Sequence, residues 1–138
     1  MPPGDVIIGL MDADFARNLV DRWTRAWNGH DLEAILEHFA SDVVFTSPVA
    51  AQLVPGSDGT VRGKAALREY WAEGLRRISD LHFEVLGCYL GVDTIVINYR
   101  NQNGRLVNEV LVIGADGLIT QGHGTYLSEG DDPAGVQA

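Results

Sequence analysis

Glu109 is the residue of this sequence best suited to acid/base chemistry, because it is a carboxylate within the apolar run that follows Asn103-Gly104. Burial among apolar groups disfavours the charged form of a carboxyl and raises its pKa. Such a carboxyl can give or take a proton near neutral pH. The alternative interpretation is structural, because a buried carboxyl needs a hydrogen-bond partner whether or not it reacts.

Asn98 is the polar side chain expected to lie beside Glu109. Asn103-Gly104 between two apolar runs predicts a tight hairpin turn, and this turn predicts that Asn98 lies opposite Glu109 and Val96 opposite Leu111. An asparagine there suits recognition of a carbonyl or hydroxyl group. Its alternative role is to pair with Glu109.

Further candidates lie on the neighbouring strands. Arg100 is expected on the same face as Asn98, and Tyr126 on the inner face of the last strand together with Gly122 and Gly124. The glycines either create pocket volume beside Tyr126 or relieve crowding and let the sheet curve.

The histidines and the cysteine are not spaced for catalysis or metal binding. Alternation places His123 on the outer face of its strand, and His30, His38 and His82 form no metal-ligand spacing. Cys88 is the single cysteine, which excludes an internal disulfide and a Cys-x-x-Cys site. There is no glycine-rich phosphate motif, so neither a metal nor a cofactor is predicted.

Two helices and a strand are predicted in the first third of the chain. Apolar residues recur every four positions, at Phe15, Leu19, Trp23 and Trp27, which predicts an amphipathic helix that Asn28-Gly29 ends. Asp31 caps a short second helix that extends to Phe39. A strand then alternates over residues 43–47.

Residues 48–62 contain prolines and glycines without periodicity, so they are predicted to form a loop and a candidate lid. A third helix follows Gly63, with Tyr70 and Trp71 on its inner side. Turn signals divide the remainder into four strands.

The composition predicts a single domain over residues 1–138, with an ordered core over about residues 12–127 and a disordered acidic tail at 128–138. The hydrophobic fraction is 46%, as in ordinary globular proteins. The net charge of -9 argues against nucleic acid and membranes as partners. The apolar run at residues 6–10 is too short for a signal peptide or a membrane span, so a cytoplasmic location is expected.

The order of these elements, carried by residues 23–48 and 63–71, resembles the nuclear transport factor 2-like superfamily. The sequence is most similar to its SnoaL-like and ketosteroid-isomerase-like branch. This resemblance implies an α+β fold in which three helices pack on a curved, mostly antiparallel sheet to form a cone around one apolar pocket. Both faces of the predicted hairpin are apolar, and in this superfamily a second copy of the chain usually covers the convex face. A homodimer is therefore expected.

Ketosteroid isomerases use a tyrosine, a basic aspartate and a neutral carboxylic acid. By resemblance Trp23 stands at the position of the tyrosine, Ser47 at that of the aspartate, and Glu109 near that of the acid. Serine without a base cannot remove a proton from carbon, which makes steroid isomerisation improbable. Superfamily epoxide hydrolases need two carboxylates bridged by an arginine, and no such pair flanks Arg100.

Two hypotheses about function remain. In the first, the protein is a cofactor-independent cyclase or isomerase of a polyketide-like or steroid-like compound, with Glu109 as acid/base. In the second, it binds a small apolar or aromatic ligand without catalysis, or is a dimeric accessory protein with a vestigial pocket. In either case the expected ligand-binding residues are Trp23, Trp27, Phe45, Ser47, Tyr70, Trp71, Asn98, Arg100, Leu111 and Tyr126.

Overall fold

The computed structural model describes residues 11–133, which form an α+β fold with helices packed on a curved, six-stranded mixed sheet that does not close. The elements are α1 (Ala13–Asn28), α2 (Leu32–Leu36), β1 (Phe39–Thr46), α3 (Pro48–Leu53), β2 (Thr60–Arg62), α4 (Lys64–Arg77), β3 (Glu84–Leu90), β4 (Thr94–Arg100), β5 (Leu106–Ile113) and β6 (Ile119–Tyr126). The strand order is β2-β1-β6-β5-β4-β3. Only the β1–β6 pair is parallel among these. No helix in the described range is long and apolar enough to cross a membrane.

The first helix forms as the apolar spacing predicts. Asp12 caps it by accepting a hydrogen bond from the backbone N–H of Phe15 at 2.8 Å. Trp23 and Trp27 lie on its buried face. Asp31 caps α2 in the same way. The caps and the 3.6-residue periodicity are local signals, and the prediction of a buried stripe is confirmed for Leu19, Trp23 and Trp27. Phe15, the first residue of the predicted stripe, is 37% exposed.

The second helix is shorter than predicted, because the chain changes to a strand at Phe39. Phe39 pairs with Ile119 of β6, and the backbone N–H of Ile119 donates to the carbonyl of His38 at 2.8 Å. Ser41-Asp42 then lies inside β1, where the register of pairing shifts. A partner 80 residues away in sequence decides this boundary, so local propensity could not reveal it.

The prediction of a structureless loop at residues 48–62 is wrong. Ser47 caps α3, since its Oγ accepts from the backbone N–H of Val49 at 3.1 Å, and Pro48 occupies the first turn. The segment then returns as β2 along the edge of β1. Four helices rather than three therefore pack on the sheet.

The hairpin between β4 and β5 has a three-residue turn at positions 102–104 instead of the predicted two-residue turn. Asn101 pairs with Arg105, and Gly104 has a φ of +78°, the left-handed conformation that such turns need. The side chain of Asn101 accepts hydrogen bonds from the backbone N–H groups of Asn103 and Arg105, both at 3.0 Å. This extra residue shifts the register by one position.

As a result, Ile97 lies opposite Glu109, and Asn98 lies opposite Asn108. Because side chains alternate across a strand, the shift exchanges the two faces of β4 relative to the prediction. Tyr99 is buried on the inner face together with Ile97. The partly exposed side chains of the outer face include Val96, Asn98, Arg100, Val110 and Val112.

Residues 128–133 do not follow the expected disordered tail. Asp132 is 2% exposed, and its Oδ2 accepts a hydrogen bond from the backbone N–H of Leu106 at 2.7 Å. Ser128 donates to Asp131 at 2.8 Å. The ordered part therefore extends beyond position 127, while residues 134–138 lie outside the described range.

Candidate functional site

A cavity of about 370 Å³ lies between the inner face of the sheet and helices α1, α3 and α4. Seven aromatic side chains line it, namely Trp23, Trp27, Phe45, Tyr70, Phe83, Tyr99 and Tyr126. Large flat rings that pack against each other form a rigid surface complementary to a planar apolar ligand.

Phe83 is the centre of this aromatic wall. Its ring centroid lies 4.3 Å from that of Tyr99 and 5.5 Å from those of Trp23 and Trp27. Sequence reasoning did not identify Phe83 or Tyr99 as candidates. Tyr99 could have been found if a three-residue turn had been assumed, whereas the only signal of Phe83 was its aromatic side chain.

Glu109 lines the cavity and is 6% exposed. Burial raises its pKa from the ordinary value of 4.5 to about 7, and a hydrogen bond from Tyr99 opposes this rise. The hydroxyl of Tyr99 donates to Glu109 Oε1 at 3.1 Å. Both protonation states of this carboxyl are therefore populated at neutral pH.

Three tyrosine hydroxyls lie around this carboxyl. Burial, with a smaller contribution from the nearby Glu109, raises the pKa of Tyr70 and of Tyr126 to about 12. Burial and the same carboxyl hold the pKa of Tyr99 well above its usual range. All three phenols thus keep their protons at neutral pH and can act as hydrogen-bond donors.

Ser47 lies where β1 passes into α3, on the cavity wall. Its hydroxyl accepts from the backbone N–H of Val49, and it lies near enough to Tyr70 to lower the pKa of that phenol. Gly124 of β6 lies beside it, since a Cβ on Gly124 would be 3.5 Å from Ser47 Oγ and 3.7 Å from Glu109 Oε1. The hydroxyl of Ser47 and the carboxyl of Glu109 therefore flank the position at Gly124 that carries no side chain.

Asn98 and Arg100 do not line the cavity, which corrects the prediction for both residues. Asn98 donates to the side chain of Asn108 at 2.8 Å on the outer face of the sheet. Arg100 donates to the carbonyl of Gly104 at 2.9 Å. The physical reason is the one-residue shift of the hairpin, which turns both side chains outward and Tyr99 inward.

Trp71 and Leu111 also lie outside the cavity lining, as supports of the wall. The ring of Trp71 packs edge-on against Trp27 and Phe39, both at 5.0 Å, and against Phe45 at 5.3 Å. Leu111 is fully buried in the core. The other predicted residues, namely Trp23, Trp27, Phe45, Ser47, Tyr70, Glu109 and Tyr126, all line the cavity.

Five further polar side chains line the cavity. The hairpin turn contributes Asn101, Gln102 and Asn103, while α3 contributes Gln52 and α4 contributes Arg77. The Nε of Arg77 is paired with Glu73 on its own helix. The segment expected to be a lid thus forms part of the wall through α3.

Two lining residues hold buried polar atoms without a hydrogen-bond partner in the described part of the chain. These atoms are Nε1 of Trp27, a donor, and Oε1 of Gln102, an acceptor. Leaving such an atom unpaired costs roughly 1–3 kcal/mol.

His123 lies outside the cavity, on the outer face of β6, as its alternation predicts. Its Nδ1 lies 2.7 Å from Thr46 Oγ1 and its Nε2 lies 3.3 Å from Gln121 Oε1. The partner of His123 on β5 is Val110, a residue of the outer face. The inward Glu109 of β5 pairs instead with Gly124.

Comparison with known proteins gives the same fold. The chain is 39% identical to a SnoaL-like protein of unknown function from Burkholderia thailandensis, with a TM-score of 0.80 over 85% of this chain and 98% of that one. It also matches a proposed polyketide cyclase from Sinorhizobium meliloti at 18% identity (TM-score 0.65, 78% of this chain and 94% of that one). A proposed isomerase of the SnoaL-like family from Agrobacterium tumefaciens matches at 13% identity (TM-score 0.66, 83% and 99%).

No curated protein matches the sequence. The family model described as the SnoaL-like domain matches residues 20–121, which is most of the chain and includes α4 and most of the cavity wall. By this match, together with the 39% identity to the Burkholderia protein, the chain belongs to the SnoaL-like family.

Proposed function

We propose that this protein is a cofactor-independent enzyme that moves a proton on a small, planar, mostly apolar carbonyl compound, with Glu109 as the acid/base. The observation that carries the proposal is a single carboxyl with a pKa of about 7 in an aromatic cavity. A general acid/base works best when its pKa lies near the working pH, because both of its forms are then available.

The reaction class follows from this carboxyl. Ionised Glu109 accepts a proton from the carbon next to the carbonyl group, and the electrons of that C–H bond form a carbon–carbon double bond. The π electrons of the carbonyl move to its oxygen, which gives an enolate. Protonated Glu109 then returns the proton to carbon, at the same or another position. Ring closure of an enolisable compound and isomerisation share this first step.

A general base other than Glu109 has little support in the cavity. Ser47 holds the helix cap with its hydroxyl, and the tyrosines keep their protons. The tryptophan at position 23 packs in the aromatic wall. These features argue against the three-group arrangement of ketosteroid isomerases.

Two structural relatives are compatible with this class, namely the proposed polyketide cyclase and the proposed isomerase. Because the sequence identity to both proteins is low, the similarity supports a shared fold alone. The proposal therefore depends on the chemistry of this cavity.

The test is deuterium exchange at the carbons next to the carbonyl of 2-tetralone, an enolisable ketone fused to a planar aromatic ring, followed by ¹H NMR in D₂O. The wild-type protein should accelerate exchange over buffer. Glu109→Gln should reduce the acceleration by at least about 100-fold, because the amide cannot take the proton. Glu69→Gln, which changes an exposed glutamate on α4, is the matched control and should retain full activity.

Acceleration that persists in Glu109→Gln would contradict the role of Glu109. Binding of 2-tetralone without any acceleration by the wild type would contradict the enzyme and support the noncatalytic ligand-binding alternative.

A further inference from the structure

Two glycines of β6 face the interior, and only one of the two positions is filled by a neighbouring side chain. A Cβ on Gly122 would lie 2.8 Å from Cδ1 of Phe45, so the ring of Phe45 already occupies that space. A Cβ on Gly124 would meet its nearest atoms at 3.5 and 3.7 Å, which is ordinary van der Waals contact. Gly124 lines the cavity, whereas Gly122 does not. The space at Gly124 is therefore part of the cavity.

The neighbours of this open position are both oxygen groups. Gly124 pairs with Glu109 across β5 and β6. On its other side His123 pairs with Thr46 of β1, which places Ser47, the residue after this strand, next to Gly124. The missing side chain leaves a gap with a carboxyl on one side and a hydroxyl on the other.

On the hydroxyl side of the gap, one O–H donor is available to a ligand. Ser47 and Tyr70 bring two O–H groups, and an interaction between the two hydroxyls uses at most one of them. Ser47 also accepts from the backbone N–H of Val49, which uses an acceptor site but no proton. Whichever hydroxyl donates within the pair, one O–H remains for an acceptor outside the pair.

We propose that Gly124 forms the floor of an oxygen subsite, in which the carbonyl of the ligand lies between the Ser47–Tyr70 hydroxyl pair and Glu109. The carbonyl oxygen of the ligand accepts a hydrogen bond from the remaining O–H. The carbon next to the carbonyl group then faces the carboxyl of Glu109. This assignment rests on the proposed function and adds the position and the hydrogen-bond donor of the carbonyl oxygen of its substrate. As the proton passes to Glu109, negative charge develops on an oxygen that already has a hydrogen-bond donor.

The absence of a side chain at position 124 is then a requirement for ligand binding rather than for folding. Gly124→Ala adds a methyl group that fits at normal contact distance, and its backbone is not in the left-handed region. The variant should fold like the wild type while its methyl group occupies the subsite. Gly87→Ala is the matched control, because this strand glycine of β3 has no atom within 4 Å of an added Cβ.

The experiment compares 2-naphthol, whose oxygen imitates that of an enolate, with naphthalene, which has the same rings without oxygen. Binding is measured by equilibrium dialysis. Wild type and Gly87→Ala should bind 2-naphthol at least about tenfold more tightly than naphthalene, as expected for one hydrogen bond to a polar site. Gly124→Ala should lose this preference and keep its affinity for naphthalene within about twofold.

Equal affinity of the wild type for the two compounds, or failure to bind either one, overturns the subsite. So does a preference for 2-naphthol that survives in Gly124→Ala. The proposed function is judged separately by the exchange of 2-tetralone and its loss in Glu109→Gln. Glu109-dependent exchange without a preference for 2-naphthol would remove the subsite and leave the acid/base role intact.

Discussion

The carboxyl of Glu109 has one hydrogen-bond donor among the described side chains, the hydroxyl of Tyr99, and aromatic side chains form much of the cavity around it. Burial and this hydrogen bond act in opposite directions on the pKa of Glu109. Burial has the larger effect, so the carboxyl titrates near pH 7 instead of near 4.5. Tyr99 therefore acts as a positioning and tuning residue.

Tyr99→Phe should raise the pKa of Glu109 above about 7, because it removes the hydrogen bond that stabilises the ionised form. Exchange of 2-tetralone requires the ionised carboxyl, so the midpoint of its pH profile should move to higher pH. Tyr89→Phe, at an exposed tyrosine of β3, is the control and should leave the midpoint unchanged. A midpoint in Tyr99→Phe that stays in place or moves to lower pH would contradict the assignment.

At the scale of the elements, β6 determines the shape of the site. Its two inward glycines allow Phe45 to lie against the strand at one position and leave the cavity open at the next. The same strand joins the two halves of the sheet, parallel to β1 and antiparallel to β5. Substitutions at the two glycines should therefore have different effects.

Gly122→Ala should destabilise the fold by about 1–3 kcal/mol, because its methyl group would lie 2.8 Å from the ring of Phe45 and force the core to shift. Gly124→Ala, two residues along the same strand, should change stability by less than about 1 kcal/mol, because its contacts are of normal length. Urea unfolding monitored by circular dichroism measures both values. Equal stability of the two variants would contradict the prediction that the close contact of Gly122 with Phe45 makes this position the more sensitive one.

At the scale of the whole molecule, burial of Glu109 links stability to pH. Below pH 4.5 this carboxyl is protonated in both the folded and the unfolded chain. Between pH 4.5 and about 7 the folded chain holds a proton that the unfolded chain has lost, so stability decreases as pH rises through this range. The loss amounts to about 3 kcal/mol and is complete above the folded-state pKa.

The difference between the free energy of unfolding of Glu109→Gln and that of the wild type should therefore increase from pH 5 to pH 8. Burial also lowers the pKa of His38, which acts in the opposite sense by destabilising the fold as pH falls through 6.5. His38 is present in both proteins, so its contribution cancels in the difference. Urea unfolding at four pH values measures the effect, and a difference that does not vary with pH would contradict the raised pKa.

The outer face of the sheet is the second feature at this scale. Val96, Val110 and Val112 are partly exposed there, next to polar side chains such as Asn98 and His123. A homodimer through this face stays a prediction.

Local signals in the sequence determined the main helices, most strands and the inward position of Glu109. The spacing of Trp23 and Trp27 fixed the buried face of α1, because a helix repeats every 3.6 residues. Asp31 fixed the start of α2, because its side chain caps the first turn. The Ser47-Pro48 pair carried the signal for α3, which went unrecognised.

Only the tertiary structure decided which side chains meet Glu109. The side chain of Asn101 closes a three-residue turn, and one additional residue reverses the two faces of β4. Tyr99 therefore enters the cavity in place of Asn98. The pKa of Glu109 likewise depends on burial, and the open space at Gly124 depends on where Ser47 and Glu109 lie. Residue types and periodicity specify the elements, but contacts between distant elements create the chemistry of the site, because burial and hydrogen bonding are properties of the packed chain.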